Sequence, residues 1–125
     1  MDANTLAILI AAIITVESGG DCGAVGDNGA SVGPMQIQMA VVQDVNEYLR
    51  APVFGSDDRR DLEASKYMFQ VYMNRYATKK RLGREPTAED IARIWNGGPN
   101  GYKKEATLKY WRKVERKLNY GLDKY

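Results

Sequence analysis

The stretch Ile13–Gln36 reads IITVESGGDCGAVGDNGASVGPMQ and changes character halfway, from an apolar segment to a glycine-rich loop. Glu17 stands at that change and is the first charged residue after Asp2. Burial disfavours the ionised form of a carboxylic acid, so a glutamate at the end of an apolar helix is expected to keep its proton near neutral pH. Glu17 is therefore a candidate general acid, although a side chain that points into water would be an ordinary member of the last helical turn.

The apolar run from Leu6 to Val16 predicts a buried helix, with Asp2 or Asn4 as its N-cap. The run is too short to span a bilayer, so we expect no membrane insertion. Residues 1–5 contain no Lys or Arg, and no small-residue cleavage pattern follows, so we also expect no signal peptide.

Hydrophobic periodicity and capping residues predict four further helices. Their expected bounds are Met39 to Leu49, Ser56 to about Arg81 with Gly83 as the stop, Thr87 to Trp95, and about Glu105 to Asn119 with Gly121 as the C-cap. A small irregular hairpin is expected around Val25 to Val32. A chain of 125 residues is long enough to bury one core, so we expect one mainly α domain, α+β in class, over residues 1–125.

The cysteine and histidine content limits the chemistry. The chain has one cysteine, Cys22, which excludes an internal disulfide, and it has no histidine. A Cys/His metal site and a Ser/His or Cys/His nucleophilic pair are therefore excluded, and we expect no metal and no other cofactor. Acid chemistry in this chain has to come from carboxylates.

The formal net charge of +2 hides an uneven distribution. Up to Asp58, Arg50 is the one basic residue against eight acids, whereas from Arg59 onward 17 Lys and Arg face eight acids. A basic surface can attract nucleic acid or an anionic cell wall, but helices with solvated Lys and Arg are common. The basic half lacks a clear array of exposed aromatic residues, so we expect no nucleic-acid partner.

Three ordered motifs resemble the lysozyme-like superfamily, in particular the soluble lytic transglycosylases (SLT) and the goose-type lysozymes. They are Glu17-Ser18 followed by a glycine-containing loop and Gly33-Pro34-Met35-Gln36-Ile37, then Trp95-Asn96-Gly97-Gly98-Pro99, then Tyr110 with Val114. Each motif alone is weak, but together they span almost the whole chain. The resemblance implies a lysozyme-like fold that binds peptidoglycan glycan strands, and we expect a monomer.

The resemblance implies that Glu17 donates a proton to the β-1,4 bond between N-acetylmuramic acid and N-acetylglucosamine. In a lytic transglycosylase, the preferred interpretation, Glu17 acts as acid and then as base, and the 6-hydroxyl of the muramic acid closes an anhydro ring. An inverting, goose-type hydrolase needs a second carboxylate to hold a water, and Asp27 is the candidate. Gln38 stands where the goose-type lysozymes carry a further aspartate, which favours transglycosylation.

Six polar side chains are candidates for substrate binding: Ser31, Gln36, Gln38, Asn96, Tyr102 and Tyr110. Gln36 would bind an N-acetyl or hydroxyl group, or else tie the loop to backbone amides. Asn96 would hold sugar or cap its helix, and Tyr102 is a candidate platform for sugar stacking. The resemblance implies that Tyr110 hydrogen-bonds the catalytic glutamate, whereas the structural alternative is a surface tyrosine that packs beside Trp111.

A hypothesis from another class is a non-catalytic wall-binding or virion structural protein that keeps the same fold. The absence of a recognisable signal peptide leaves the localisation open. It is compatible with a phage lysis or entry enzyme and with a domain that a secretion machine delivers.

Overall fold

A computed structural model describes the backbone of residues 1–123 and the side chains as far as Leu118. In chain order the elements are α1 (Ala3–Ser18), β1 (Val25–Gly26), β2 (Ser31–Val32), α2 (Met39–Leu49), α3 (Leu62–Tyr76), α4 (Lys79–Leu82), α5 (Ala88–Gly97) and α6 (Leu108–Asp123). Short 3₁₀ turns lie at Asp27–Gly29, Ser56–Arg60, Gly101–Lys103 and Glu105–Thr107. The predicted mainly helical fold with a small hairpin is confirmed.

The chain divides into two units, which are described separately. The first, Glu17–Arg75, contains the end of α1, the glycine-rich loop, the hairpin, α2 and nearly all of α3. The strands pair antiparallel with Val25 opposite Val32, and an isolated bridge joins Val32 to Ile37. The buried apolar side chains of this unit include Val32, Met35, Ile37, Val42, Val45, Met68 and Phe69.

The second unit combines Met1–Val16 with the chain from Tyr76 onward. Its N-terminal helix is capped by Asp2, whose Oδ1 accepts a hydrogen bond from the Thr5 backbone N–H at 2.8 Å. The prediction of a buried N-terminal helix is confirmed along one side of α1. The buried apolar side chains of this unit include Leu9, Ile10, Ala12, Ile13, Ile91, Ala92, Ile94 and Val114.

The prediction of one long helix from Ser56 to about Arg81 is wrong, because the structure has a 3₁₀ turn, α3 and α4 there. A 3₁₀ turn precedes α3, and α4 begins after Thr78. The Thr78 hydroxyl accepts a hydrogen bond from the Arg81 backbone N–H at 3.2 Å. A threonine hydroxyl that satisfies a free N–H in this way begins a new helix. Gly83 ends α4 with φ +78°, so the predicted stop is confirmed.

The last helix also differs from its predicted bounds. Its start moves from Glu105 to Leu108, and it continues past Gly121 to Asp123, so Gly121 is not its C-cap. The later start follows from Thr107, whose buried hydroxyl contacts the Gly101 and Lys104 carbonyl oxygens at 2.7 and 2.9 Å. These local bonds hold Glu105–Thr107 in a 3₁₀ turn instead of an α-helical one.

The start of α5 is a capping box, as the sequence predicted. The Asp90 backbone N–H donates to the Thr87 hydroxyl at 3.1 Å, and the Thr87 backbone N–H donates to the Asp90 carboxylate at 2.8 Å. Both terminal nitrogens of Arg84 also donate to the Asp90 carboxylate, which is 3% exposed. Burial raises the pKa of Asp90, but the bonds from Arg84 and Thr87 outweigh it and bring the pKa below its ordinary value.

We therefore expect Asp90→Asn to lower the free energy of unfolding at pH 7 by about 1–3 kcal/mol. Because the folded-state pKa of Asp90 is lowered, its contribution is fully present above the ordinary aspartate pKa of about 3.9 and is lost as the pH falls through the lower folded-state value. Urea unfolding at pH 7 and near pH 3 measures both quantities. Glu85→Gln is the control, since Glu85 forms an exposed pair with Lys79 at 3.8 Å and should change little. An equal effect of Asp90→Asn at both pH values would contradict the interpretation.

Candidate active site

The end of α1, which carries Glu17, is attached to the glycine-rich loop through Ser18. The Ser18 hydroxyl donates to the Pro34 carbonyl oxygen at 2.7 Å and accepts from the Gly20 backbone N–H at 3.0 Å. Glu17 itself is half-buried. The helix ending and the loop are thus fixed to each other within one residue of the candidate acid. Ser18 belongs to the Glu17-Ser18 motif, but the sequence alone predicts no role for it.

Asp27 lies on a tight turn between the two strands of the hairpin. Three successive residues have positive φ angles: Asp27 at 50°, Asn28 at 57° and Gly29 at 94°. Left-handed backbone costs a non-glycine residue roughly 1–2 kcal/mol, and asparagine and aspartate tolerate it best. The turn therefore places the exposed Asp27 carboxylate at the tip of the hairpin at a local cost in backbone energy.

A short chain of side-chain hydrogen bonds holds the Asp27 carboxylate. The Ser31 hydroxyl donates to Asp27 Oδ2 at 2.5 Å, and Gln38 Nε2 donates to the Ser31 hydroxyl oxygen at 3.3 Å. Ser31 is 2% exposed, so its hydroxyl is committed to this chain and not to solvent. The structure thus brings together three of the predicted site residues, with Ser31 orienting Asp27.

Gln36 closes the base of the same loop. Its Nε2 donates to the Ala24 and Gly33 carbonyl oxygens at 3.2 and 3.0 Å, and its own backbone has φ +52°. Two roles were predicted for Gln36, and its side-chain amide nitrogen has the structural one, because it ties the loop to its own backbone. The predicted contact with a sugar stays a prediction for this residue.

The loop rests on a buried arginine, Arg59, that the sequence analysis counted only as a charge. Its Nη1 donates to the Ala30 and Ile37 carbonyl oxygens at 3.3 and 3.2 Å, and its Nε donates to the Ser56 carbonyl oxygen at 3.0 Å. The Ser65 hydroxyl in turn donates to the Arg59 carbonyl oxygen at 3.1 Å. The sequence signal was a basic residue directly after an acidic helix-start pattern, and it does not reveal a partner in the distant loop.

Gly33 makes close approach between the loop and Arg59 possible. Gly33 has φ +86°, and a Cβ atom built on it would lie 1.7 Å from the Arg59 carbonyl oxygen. Only a residue without a side chain fits between these two backbone segments. The glycine of the G-P-M-Q motif is therefore needed for packing in this structure, whatever part the motif has in binding.

Three predicted site residues lie in the second unit. Asn96 is exposed in the last turn of α5, Tyr102 is half-buried in a 3₁₀ turn, and Tyr110 is half-buried in α6. Lys103 Nζ lies 5.8 Å from the centre of the Tyr102 ring. The roles predicted for Asn96, Tyr102 and Tyr110 in binding the glycan strand or Glu17 stay predictions.

Among the side chains described, as far as Leu118, no three acidic or cysteine groups lie together so that they could hold a metal ion. None of the helices described over residues 1–123 combines the length and the hydropathy that crossing a bilayer requires.

The first unit therefore offers two carboxylates for chemistry beside one glycine-rich loop. Glu17 lies at the end of an apolar helix, and Asp27 lies on a hairpin turn and is held by Ser31. Glycoside hydrolysis commonly uses two carboxyl groups that flank the bond to be cleaved. A mainly helical chain with a small hairpin and such a pair fits the lysozyme-like fold.

Comparison with known proteins identifies the family. The model of the Destabilase family matches residues 8–117. A chain in the crystal structure of Aeromonas hydrophila PliI in complex with Meretrix lusoria lysozyme is 32% identical with a TM-score of 0.73, and the match covers 87% of each chain. The crystal structure of Tapes japonica lysozyme is 28% identical with a TM-score of 0.72, again over 87% of each chain. The chain belongs to the Destabilase family.

Curated relatives match over shorter segments. An invertebrate-type lysozyme from Ruditapes philippinarum is 43% identical over 56 residues, which are 45% of this chain and 40% of that protein. Lysozyme 1 from Crassostrea virginica is 42% identical over 55 residues, which are 44% of this chain and 29% of that protein. The matches span less than half of the length of these curated relatives.

The predicted resemblance is corrected in its finer part. The lysozyme-like fold is confirmed, but the relatives are invertebrate-type lysozymes of the Destabilase family, and neither the SLT nor the goose-type group is supported. The quoted motifs are short glycine-containing segments, and they did not separate these groups from one another.

The contact between Gly33 and Arg59 leads to a stability prediction. Gly33→Ala should lower the free energy of unfolding by more than about 2 kcal/mol, because it adds a clash with backbone to the cost of a left-handed alanine. Gly29→Ala is the matched control, since Gly29 has φ +94° but no atom within 4 Å of the added Cβ, so it carries the conformational cost alone. Chemical denaturation of both variants measures the difference, and equal losses would contradict the close approach.

Proposed function

We propose that this protein is a lysozyme that hydrolyses the β-1,4 bond between N-acetylmuramic acid and N-acetylglucosamine in peptidoglycan. Glu17 is the general acid, and Asp27 is the second carboxylate. The names of its relatives support glycan cleavage, since each of the five curated matches is called a lysozyme. The single observation that carries the choice of hydrolysis is the way in which Asp27 is held.

Backbone strain at Asp27 supports a catalytic role for its carboxylate. Asp27 and Asn28 both have left-handed backbone, and the buried Ser31 hydroxyl is committed to the Asp27 carboxylate at 2.5 Å. Strained backbone that surrounding structure holds in place is concentrated at functional sites. A transglycosylase needs no second carboxylate, so it would gain nothing from this arrangement. A hydrolase needs a carboxylate held at a fixed place, and the arrangement supplies one.

In the proposed reaction, Glu17 gives its proton to the glycosidic oxygen as the bond to the leaving sugar breaks. An apolar helix end favours the protonated form that this step needs. Asp27 acts on the other side of the sugar ring in one of two ways. It takes a proton from the water that attacks the anomeric carbon, or it attacks that carbon itself and forms a glycosyl ester, which a water deprotonated by Glu17 then hydrolyses. Ser31 and Gln38 are positioning residues in this scheme, because they act through the Asp27 carboxylate.

The second candidate is lytic transglycosylation with Glu17 alone. Gln38 favours it, since a further carboxylate is absent at the place where the goose-type pattern has one. The two reactions differ in the muramic acid terminus, which is a reducing end after hydrolysis and a 1,6-anhydro end after transglycosylation. Mass spectrometry of muropeptides released from purified peptidoglycan therefore separates them. Anhydro ends in the wild-type digest would overturn the proposed hydrolysis.

Removal of each carboxylate tests the assignment. Glu17→Gln and Asp27→Asn should each slow muropeptide release by roughly 100-fold or more while leaving the fold intact, because general acid and carboxylate assistance are worth about that much. Initial rates on purified peptidoglycan and circular dichroism of each variant measure the two effects. Asp21→Asn is the matched control, since Asp21 is an exposed carboxylate of the same loop that accepts from the Gly23 backbone N–H at 2.8 Å. Full activity in Glu17→Gln would reject the mechanism.

Ser31→Ala tests the role of the hydrogen-bond chain. It should lower the turnover number more than it changes the Michaelis constant, because the hydroxyl positions Asp27 and is itself buried. A purely structural role would lower the melting temperature and leave the turnover number of the remaining folded enzyme unchanged. Rescue by Ser31→Thr, which keeps a hydroxyl, is expected only if positioning is the role.

A non-catalytic wall-binding or virion structural protein remains the alternative from another class. A sedimentation assay in which the protein binds purified walls but releases no soluble muropeptides would select it. The same assay with chitin oligomers tests whether the polymer must contain muramic acid.

A further inference from the structure

Five cations of α6 lie along one face of the helix, here called the α6 basic face: Lys109, Arg112, Lys113, Arg116 and Lys117. Their spacing is i, i+3, i+4, i+7 and i+8, which is the repeat of residues on one side of an α-helix. All five side chains are exposed. Over residues 1–118, none of the ion pairs joins one of these cations to a carboxylate. The face is therefore a stripe of positive charge, and none of the carboxylates described over residues 1–118 forms an ion pair with it.

Part of this face lines a cavity. Lys113, Arg116 and Lys117 form one side of a space of about 530 Å³, and Thr15 and Val16 of α1 form the other. The volume is in the range of ordinary small-ligand pockets. Thr15 and Val16 carry no charge, so the positive charge of the cavity comes from the three cations of α6. An anionic group that enters this cavity would meet three cations and, among the lining residues described as far as Leu118, no carboxylate.

The excess of positive charge is concentrated in the unit that contains α6. The unit that contains α6 has 13 Lys and Arg against seven Asp and Glu, whereas the unit Glu17–Arg75 has five against nine. Summed charge of one sign raises the local concentration of ions of the opposite sign and speeds their association. The unit with α6 should therefore attract anions, while the unit with Glu17 and Asp27 should not.

We propose that the α6 basic face binds a linear polyanion with repeating phosphodiesters, of the kind attached to a bacterial wall. Lys109 and Lys117 are eight residues apart, which is about 12 Å along a helix, with successive turns about 5.4 Å apart. A single carboxylate or phosphate would use one turn, but a repeating anion can contact each turn in succession. Arginine binds phosphate through paired N–H donors, and lysine binds it as a point charge.

The choice of a wall polymer over other polyanions rests on the proposed function. Single-stranded nucleic acid is the less favoured occupant, because its binding sites stack bases on exposed aromatic rings. The aromatic residues of α6 whose side chains are described, Tyr110 and Trp111, are half-buried. As far as Leu118, the face thus offers charge without exposed rings for stacking, which matches a phosphodiester chain that carries no bases.

The test uses poly(glycerol phosphate) as the probe and the full chain as the protein. Calorimetric titration should show wild-type binding whose affinity falls steeply with salt, since bound phosphates release counterions. Lys113→Gln with Lys117→Gln should weaken binding by about tenfold or more and reduce the slope of log affinity against log salt by about one to two. Lys79→Gln with Lys80→Gln removes the same charge from the exposed side of α4 and should weaken binding by less than about threefold.

Three results would overturn the proposal. One is equal weakening in the two double variants, which would mean that net charge alone decides the affinity. Another is no binding of the probe at low salt. The third is tighter binding to double-stranded DNA or to phosphatidylglycerol vesicles than to poly(glycerol phosphate).

A parallel measurement separates this proposal from the proposed function. Muropeptide release from walls stripped of phosphate polymers depends on Glu17 and Asp27 and should be the same in Lys113→Gln with Lys117→Gln as in the wild type. Release from stripped walls without probe binding overturns only the polyanion proposal. Probe binding without any muropeptide release overturns the proposed function, leaves the phosphodiester binding standing and removes the ground for choosing a wall polymer.

Discussion

The first unit depends on the hydrogen bonds that the buried guanidinium of Arg59 donates to the glycine-rich loop. It reaches from the turn Ser56–Arg60 to the Ala30 and Ile37 carbonyl oxygens, which lie on both sides of the G-P-M-Q segment. Buried backbone carbonyls need hydrogen-bond donors, and a two-stranded hairpin of two residues per strand supplies few. One arginine side chain therefore supplies hydrogen-bond donors that neighbouring strands would supply in a wider sheet. Gly33 lets the two backbones meet, and Ser65 secures the other end of the contact.

Much of the local structure could be predicted from the sequence. The apolar run before Glu17, the valines of α2 and the capping box at Thr87 each carry a short-range signal, and the structure contains the elements that these signals indicate. The predicted helix bounds are wrong where a side-chain hydroxyl forms a local hydrogen bond with the backbone. Thr78 begins a new helix inside a predicted one, and Thr107 delays the start of α6 through bonds to carbonyls of the preceding turn. Periodicity contains no information about such local competition.

The sequence predicts candidate site residues, but it does not predict the hydrogen bonds among them. The sequence drew attention to Glu17, Asp27, Ser31 and Gln38 separately, since each is a polar residue in or beside a glycine-rich segment. It could not show that Ser31 is buried and bonded to Asp27, or that Gln36 spends its amide nitrogen on backbone carbonyls. These contacts depend on positive φ angles at several loop positions, and a lone sequence does not reveal them. The family prediction was limited for another reason: short glycine-containing motifs do not distinguish related lysozyme groups from one another.

The strands that flank Asp27 are only two residues long, and this sets how heat should inactivate the protein. A pairing so short contributes few backbone hydrogen bonds, so once warming breaks the Arg59 and Ser31 contacts the hairpin tip can open below the temperature at which the helices melt. The carboxylate would then lose its orientation in a chain whose helical content is intact. For the proposed lysozyme, loss of activity on warming should thus precede helix melting and be reversible, and far-ultraviolet circular dichroism would not detect it.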